Sequence, residues 1–312
     1  MEPTDFEVNP RFVFLGDSIV SDWRNPLATT SRAVLTALGN LGFEAIYLEP
    51  RRNNATVGLL NQRGAEPVQL FNSLRADVQY RTFDLPARWE ARVWIGQFAA
   101  TAGVIVALEG TPEMVESAAM EFASEDVQIL VERPELDDDW GRTVVQRFDR
   151  EEESIGFRPA VLPQVWEGER SGTVLVAYDD AELARAVADR VPGARRIVSG
   201  SADLPDWEFV PEIALPPVYG ATERVLVVDA ADRALAPARV WLPRANGAAA
   251  WGVVGDDAWV ETSVSAGLDD LQDVWQGEQS ELPERLDANW VAQGLVDLYR
   301  FRSRLQTGPE GG

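Results

Sequence analysis

Arg11-Phe12-Val13-Phe14-Leu15-Gly16, a polar loop from Asp17 to Arg24, the run Asn25-Pro26-Leu27 to Leu41, and then Phe43 to Leu48: this stretch decides the fold. The short apolar run at 11–15 reads as a strand that Gly16 stops. Asn25 has the side chain of a helix N-cap, and Pro26 brings the fixed φ that suits a first helical position. Leu27, Val34, Leu35, Leu38 and Leu41 fall close to one helical stripe, which Gly39 to Gly42 ends. Strand, helix and strand in this order make a parallel α/β unit.

The same grammar returns along the chain. Val78–Phe83, Gly103–Leu108 and Val127–Val131 read as strands, with helical character over Arg88–Thr101 and from Thr111-Pro112-Glu113 to Ala123. Asn53 to Gln69 reads as a loop with a short helix. The segment Asp149–Ser171 turns acidic and then rich in Pro and Gly, which suits a crossover between domains. A second α/β start follows at Gly172–Tyr178, with a helix from Asp179-Asp180 to Val191. Strands are expected at Arg196–Val198, Glu223–Val228 and Ala238–Leu242, a Gly-rich turn at Ala248–Gly255, and a last helix within Leu282–Leu305 whose face holds Leu286, Trp290, Leu298, Phe301 and Leu305. The expected fold class is therefore α/β with two Rossmann-like parallel-sheet domains. Residues 1–155 form the first, 156–285 the second, and 286–312 a helix that packs back on the first domain, followed by a tail.

Composition removes much of the usual chemistry. The 312 residues include no histidine, no cysteine and no lysine, so all 28 basic residues are arginines. A Ser-His-Asp or Cys-His site cannot form from this chain, nor can a Schiff-base lysine or a P-loop lysine. Metal sites built on His or Cys are excluded, and no metal or cofactor is expected. What remains is carboxylate chemistry, anion binding by arginine and backbone amides, or no chemistry. A net charge of −23 repels nucleic-acid phosphates and anionic membranes, so neither partner is expected. No apolar run is long enough for a membrane span. The N-terminal residues do not read as a signal peptide, so a cytoplasmic location is expected. Oligomerisation stays open.

Two resemblances attach to the opening stretch. Phe14-Leu15-Gly16-Asp17-Ser18-Ile19 resembles the nucleophile block of the SGNH hydrolases, whose serine is activated by a histidine near the C-terminus; this chain has none. The longer match, over residues 11–52, resembles the opening of bacterial GT-B glycosyltransferase-like proteins, including the CgeB-like group. Trp23, Asn25, Ala28, Thr29, Thr30 and Arg32 stand at that family's places, followed by Leu38, Gly42 and Tyr47-Leu48-Glu49. Where the family has glycine and histidine, this chain has Pro26 and Leu27, and Leu27 transfers no proton.

The resemblance implies a two-domain protein that binds or transfers a sugar from a nucleotide-sugar donor, metal-independent if active. The alternative is a non-catalytic scaffold or partner-binding protein on a degenerate GT-B fold. Carboxylates suited to activating an acceptor hydroxyl are Asp17 and Asp22. Candidate ligand contacts in the first half are Ser18, Arg24, Asn25, Thr29, Thr30 and Arg32, gathered where a strand end meets a helix N-terminus. In the second half they are Arg224, Arg239 and Arg244 for a diphosphate, Trp251 for stacking, and Glu261 as the nearest match to the family's acidic nucleotide-sugar residue. The turn Asn246–Gly255 is a candidate for close approach to a nucleotide, through Gly247, Gly252 and Gly255. Each of these residues also has an ordinary structural role open to it: threonine packing in a helix, arginine as a surface counter-charge, tryptophan in a core.

Overall fold

The structure is a computed structural model. It describes residues 10–21, 28–75, 77–84, 89–108, 111, 113–123, 128–132, 142–147, 150–156, 161–228, 236–253, 265–266 and 287–306. Two sheets organise these residues. The first has strands β1 (Arg11–Leu15), β2 (Glu44–Pro50), β3 (Gln79–Phe83), β4 (Ala102–Ala107), β5 (Gln128–Glu132), β6 (Arg142–Arg147) and β7 (Arg150–Gly156), in the order β3-β2-β1-β4-β5-β6-β7. The second has β8 (Thr173–Ala177), β9 (Arg195–Val198), β10 (Glu208–Phe209), β11 (Arg224–Val228), β12 (Ala249–Val253) and β13 (Ser265–Ala266), in the order β10-β9-β8-β11-β12-β13. The expected α/β class with two parallel-strand sheets is what the chain forms. Each sheet, with its helices, is called a lobe below.

The central strands β1, β4, β8 and β11 are buried on both faces, which is why they read as nearly unbroken apolar runs. In the first lobe Phe12 and Phe14 point to the layer of α1 (Ala28–Asn40), while Val13 and Leu15 point to α4 (Trp89–Ala99) and α5 (Glu113–Phe122). In the second, Val174 and Val176 face α7 (Leu215–Gly220) and α8 (Ala236–Ala245), and Leu175 and Ala177 face α6 (Ala181–Arg190). Side chains on a strand alternate between faces, so one run feeds two cores.

The sequence reading and the structure part at five places. Asn53–Gln69 holds two helices, α2 (Asn54–Arg63) and α3 (Glu66–Leu74). Asn53 caps α2 by accepting the Thr56 N–H. The acidic crossover begins later than expected, because Arg150–Gly156 is β7, antiparallel to β6 on the sheet edge. Its charges suit an edge strand.

Ala238–Leu242 belongs to α8, not to a strand, and the expected turn region Ala248–Gly255 contains β12. Val240-Trp241-Leu242 is too short an apolar run for its period to separate helix from strand. The small residues of Ala249-Ala250-Trp251-Gly252-Val253 hid a strand buried on both sides.

The last helix is α9 (Ala288–Gln306), and at Trp290 it departs from the face expected to be buried. Ala288, Val291, Ala292, Leu295 and Val296 enter the first core beside α1, and Trp290 is 49 % exposed. The described buried residues of α9 are mostly small or β-branched, which lets it approach Ala33 and Ala37 closely.

The lobes are joined twice by the chain, and the two crossings meet: Ala288 N–H donates to Val161 O, and Val161 bridges Asp287. Near the opposite lobe's strand ends, a Cβ on Gly200 would lie 2.4 Å from Tyr178 O, so only glycine lets the β9 and β8 ends pass. A Cβ on Gly39, within α1, meets nothing. Gly200→Ala is therefore expected to destabilise the chain by about 1–3 kcal/mol through overpacking. Gly39→Ala is expected to stabilise it by up to about 1 kcal/mol, since Ala is the better helix former. Urea midpoints of the two variants check both signs.

Candidate functional site

An open sheet of this kind binds ligands outside the C-terminal ends of its strands, where the strand order reverses. That point is β1/β4 in the first sheet and β8/β11 in the second. The turn after β1 carries Gly16-Asp17-Ser18-Ile19, the block that resembles a hydrolase nucleophile. Its glycine is fixed by packing: a Cβ there would lie 1.9 Å from the Tyr47 hydroxyl.

Ser18 is fully buried. Its Oγ accepts the N–H groups of Val20 and Ser21, each at 3.2 Å, and lies 2.9 Å from Thr56 Oγ1. It organises the turn, and no substrate reaches it there. Arg32, 4 % exposed, donates to Ile19 O at 2.9 Å and to Thr29 Oγ1 at 3.0 Å. Arg32 and Thr29 thus staple α1 to the same turn, and Thr30 is buried beside them. Asp22, Arg24 and Asn25 lie outside the described residues.

The residue that the sequence reading did not single out is Glu49, at the end of β2. It is 2 % exposed, and its Oε2 accepts the Ile19 N–H at 2.6 Å. Burial pushes its carboxyl up from the ordinary 4.5 to about 8; the Ile19 and Ser18 hydrogen bonds oppose that rise, and the charge of Asp17 adds to it. Burial raises Asp17 as well. Two carboxyls thus converge behind one turn, and Glu49 is the one that carries a proton near neutrality. A Glu two residues past a buried Tyr, inside an otherwise apolar strand, was the available signal.

In the second lobe the candidates separate by edge. Arg224 opens β11 beside Glu223, and Arg244 donates to Ala250 O at 2.9 Å, so both sit at the N-terminal edge. The Gly247 turn lies there too, with φ +84° and the Arg170 guanidinium against it. Gly252 is inside β12, and Trp251 is core, 5 % exposed among Leu226 and Val198. Gly255 and Glu261 lie outside the described residues.

Arg239 is at the C-terminal edge of the sheet, beside the residues that follow β8. It is 1 % exposed, with its guanidinium 3.7 Å from the Tyr178 ring centroid, 3.5 Å from Asp179 and 3.9 Å from Glu212. Asp179 also accepts the Ser201 hydroxyl at 2.6 Å. The neighbouring helix terminus is already occupied, since Asp180 accepts the Glu182 and Leu183 N–H groups of α6 at 2.8 Å each. A cation stacked on an aromatic ring and held by two carboxylates is a prepared anion contact only when an anion replaces one of them.

The loops after β1 and β9 meet. Val20 from one and Ser199 and Gly200 from the other line a cavity of about 20 Å³ that Glu212 also faces. The two strand-end regions therefore look onto a shared seam. No three-acid cluster suited to a metal ion occurs among the described residues, and no described helix is long and apolar enough to cross a membrane.

No protein-family model matches the chain, and no curated protein matches it. Among solved structures it is similar to the spinosyn forosaminyltransferase SpnP, at 12 % identity over 96 % of this chain and 95 % of that one, with a TM-score of 0.38. It is also similar to the glycosyltransferase SsfS6 of Streptomyces sp. SF2575, at 13 % identity over 96 % and 97 %, with a TM-score of 0.32. The thymidine diphosphate complex of SsfS6 gives 12 % identity over 96 % and 100 %, at 0.32. At TM-scores this low the overlap decides neither fold nor chemistry for this chain.

Glu49 gives the site a pH signature. The unfolded chain loses the Glu49 proton near 4.5 and the folded chain keeps it to about 8. Between those values the folded state binds more protons, so stability falls as pH rises through that window. Glu49→Gln is expected to flatten this loss, measured as the difference in urea midpoint between pH 6 and pH 9 for variant and wild type.

Proposed function

We propose that this chain is a glycosyltransferase-like protein that holds a nucleotide-activated sugar in the seam between its two lobes. Residues 1–155 serve the acceptor side and 156–285 the nucleotide side. One observation carries the reading: both sheets run outward from a central switch point in the same strand order, and their strand-end loops line a common cavity. The resemblance of residues 11–52 to GT-B proteins, with the CgeB-like group among them, agrees with it.

In this reading Arg239 meets the diphosphate. The Tyr178 ring fixes the guanidinium plane, and the incoming phosphate displaces the partly exposed Asp179, whose own hydrogen bond to Ser201 is then free to reach a sugar or ribose hydroxyl. Asp17 is the carboxylate at the acceptor side. The protonated Glu49 behind it keeps the Gly16–Ser21 turn in place through Ile19. The leaving diphosphate is offset by guanidinium and backbone amides, with no metal required by the charges present.

A second reading has its own support. The described arginines at the seam are spent internally: Arg32 on Ile19 O and Thr29, Arg239 on Asp179 and Glu212. A protein that has kept the architecture and lost turnover would use the seam, or another surface, to bind a partner.

Titration of uridine, guanosine and thymidine diphosphate-sugars, followed by tryptophan fluorescence, separates the two. The proposal expects saturable binding, weakened about tenfold (~1.4 kcal/mol) by Arg239→Gln and strengthened a few-fold by Asp179→Asn, which removes a competing charge. Circular dichroism confirms that each variant is folded. Absence of binding across the panel by the folded wild-type chain favours the partner-binding reading and rejects the nucleotide-sugar one.

A further inference from the structure

The α2–α3 hairpin of the first lobe reaches across to the second. Gln62 Nε2 donates to Ser201 O at 3.0 Å, and the Arg63 guanidinium lies 4.4 Å from the centroid of the Phe209 ring. Burial lowers the Arg63 pKa, and the nearby Asp203 charge opposes that shift. Behind these contacts Leu59 and Pro67 close over Ser199 and Glu212, leaving about 20 Å³. That is room for roughly one water, whereas pockets for small organic ligands run to hundreds of Å³. Ile213, next to Glu212, is drawn into the first lobe's core. The far side of the seam is where the two chain crossings pair at Val161 and Asp287. The lobes are thus tied at one side by covalent crossings and at the other by the exposed Gln62–Ser201 bond, the half-buried Arg63–Phe209 contact and the apolar packing of Leu59, Pro67 and Ile213.

We propose that the α2–α3 hairpin is an autoinhibitory latch: Gln62 and Arg63 pin it to Ser201 and Phe209, it covers the Glu212 side of Arg239, and an anionic ligand reaches Arg239 from that side only after these contacts open. The ligand half of this rests on the reading given under Proposed function; the latch itself does not. The two pinning contacts are one exposed hydrogen bond and one half-buried cation–aromatic pair, each a modest contribution, and hinge motion about paired crossings is the expected response to their loss.

The chain has no cysteine of its own, so two spin labels report the seam without background. Labels at Leu60→Cys and Asp206→Cys, both exposed positions, flank the contact in the full-length chain. The latch expects one narrow distance in the parent and a longer, broader distribution when Gln62→Ala and Arg63→Ala are added. An unchanged distribution overturns it. Thymidine diphosphate is then titrated into both proteins by fluorescence. A longer distance with affinity raised several-fold supports latch and site together. A longer distance with binding of equal strength overturns the covering role. A longer distance with no binding in either protein keeps the latch and rejects the nucleotide reading.

Discussion

Burial of the central strands of each sheet on both faces is the constraint from which the rest follows. A parallel sheet covered by helices on each side has no polar face to offer, so its polar groups are pushed to the strand ends. In the first lobe the C-terminal end collects Asp17, Ser18, Glu49 and Arg32 behind one turn. In the second it collects Asp179, Glu212 and Arg239 around Tyr178. Removing a charge from water is costly unless it is paired: Arg32 has backbone and hydroxyl acceptors, Arg239 has two carboxylates beside it, and Glu49 keeps its proton instead.

A chain of net charge −23 that binds an anion has to do so against its own field. The described strand ends make this concrete. Asp180 occupies the α6 terminus, where a phosphate would otherwise sit, and Asp179 stands beside Arg239. An anion gains by substitution, replacing a carboxylate and not filling an empty positive site. Substitution makes affinity depend on how easily the internal acid is displaced, so Asp179, partly exposed, is the adjustable partner and Glu212, buried, the fixed one.

Much of the architecture was legible in residues 11–48, because a strand stopped by glycine and followed by a periodic apolar run has few other solutions. The second α/β start at Gly172 was legible for the same reason, and Asp180 does cap its helix. What failed had a common cause. Val240-Trp241-Leu242 and Ala249–Val253 are each too short to display a period, so side-chain character decided and misled. In α9 the large Trp290 is half exposed, while the residues packed against α1 are mostly small. At the site, the sequence could name Ser18, Arg32 and Trp251 as chemically able, yet not that each is consumed by packing or by the backbone. Glu49 was missed because a lone acid at a strand end has no partner until Ile19 folds back onto it. Arg239 could not be separated from Arg224 and Arg244 without knowing which edge of the sheet each one occupies.

Hydrogen–deuterium exchange with and without thymidine diphosphate tests the central claim, that the two strand-end regions form one anion-binding seam. The account predicts slower exchange in residues 16–21 and 198–213 together, in both lobes, on addition of the nucleotide. Protection in one lobe alone, at the N-terminal edge near Arg224 and Arg244, or nowhere, would contradict it.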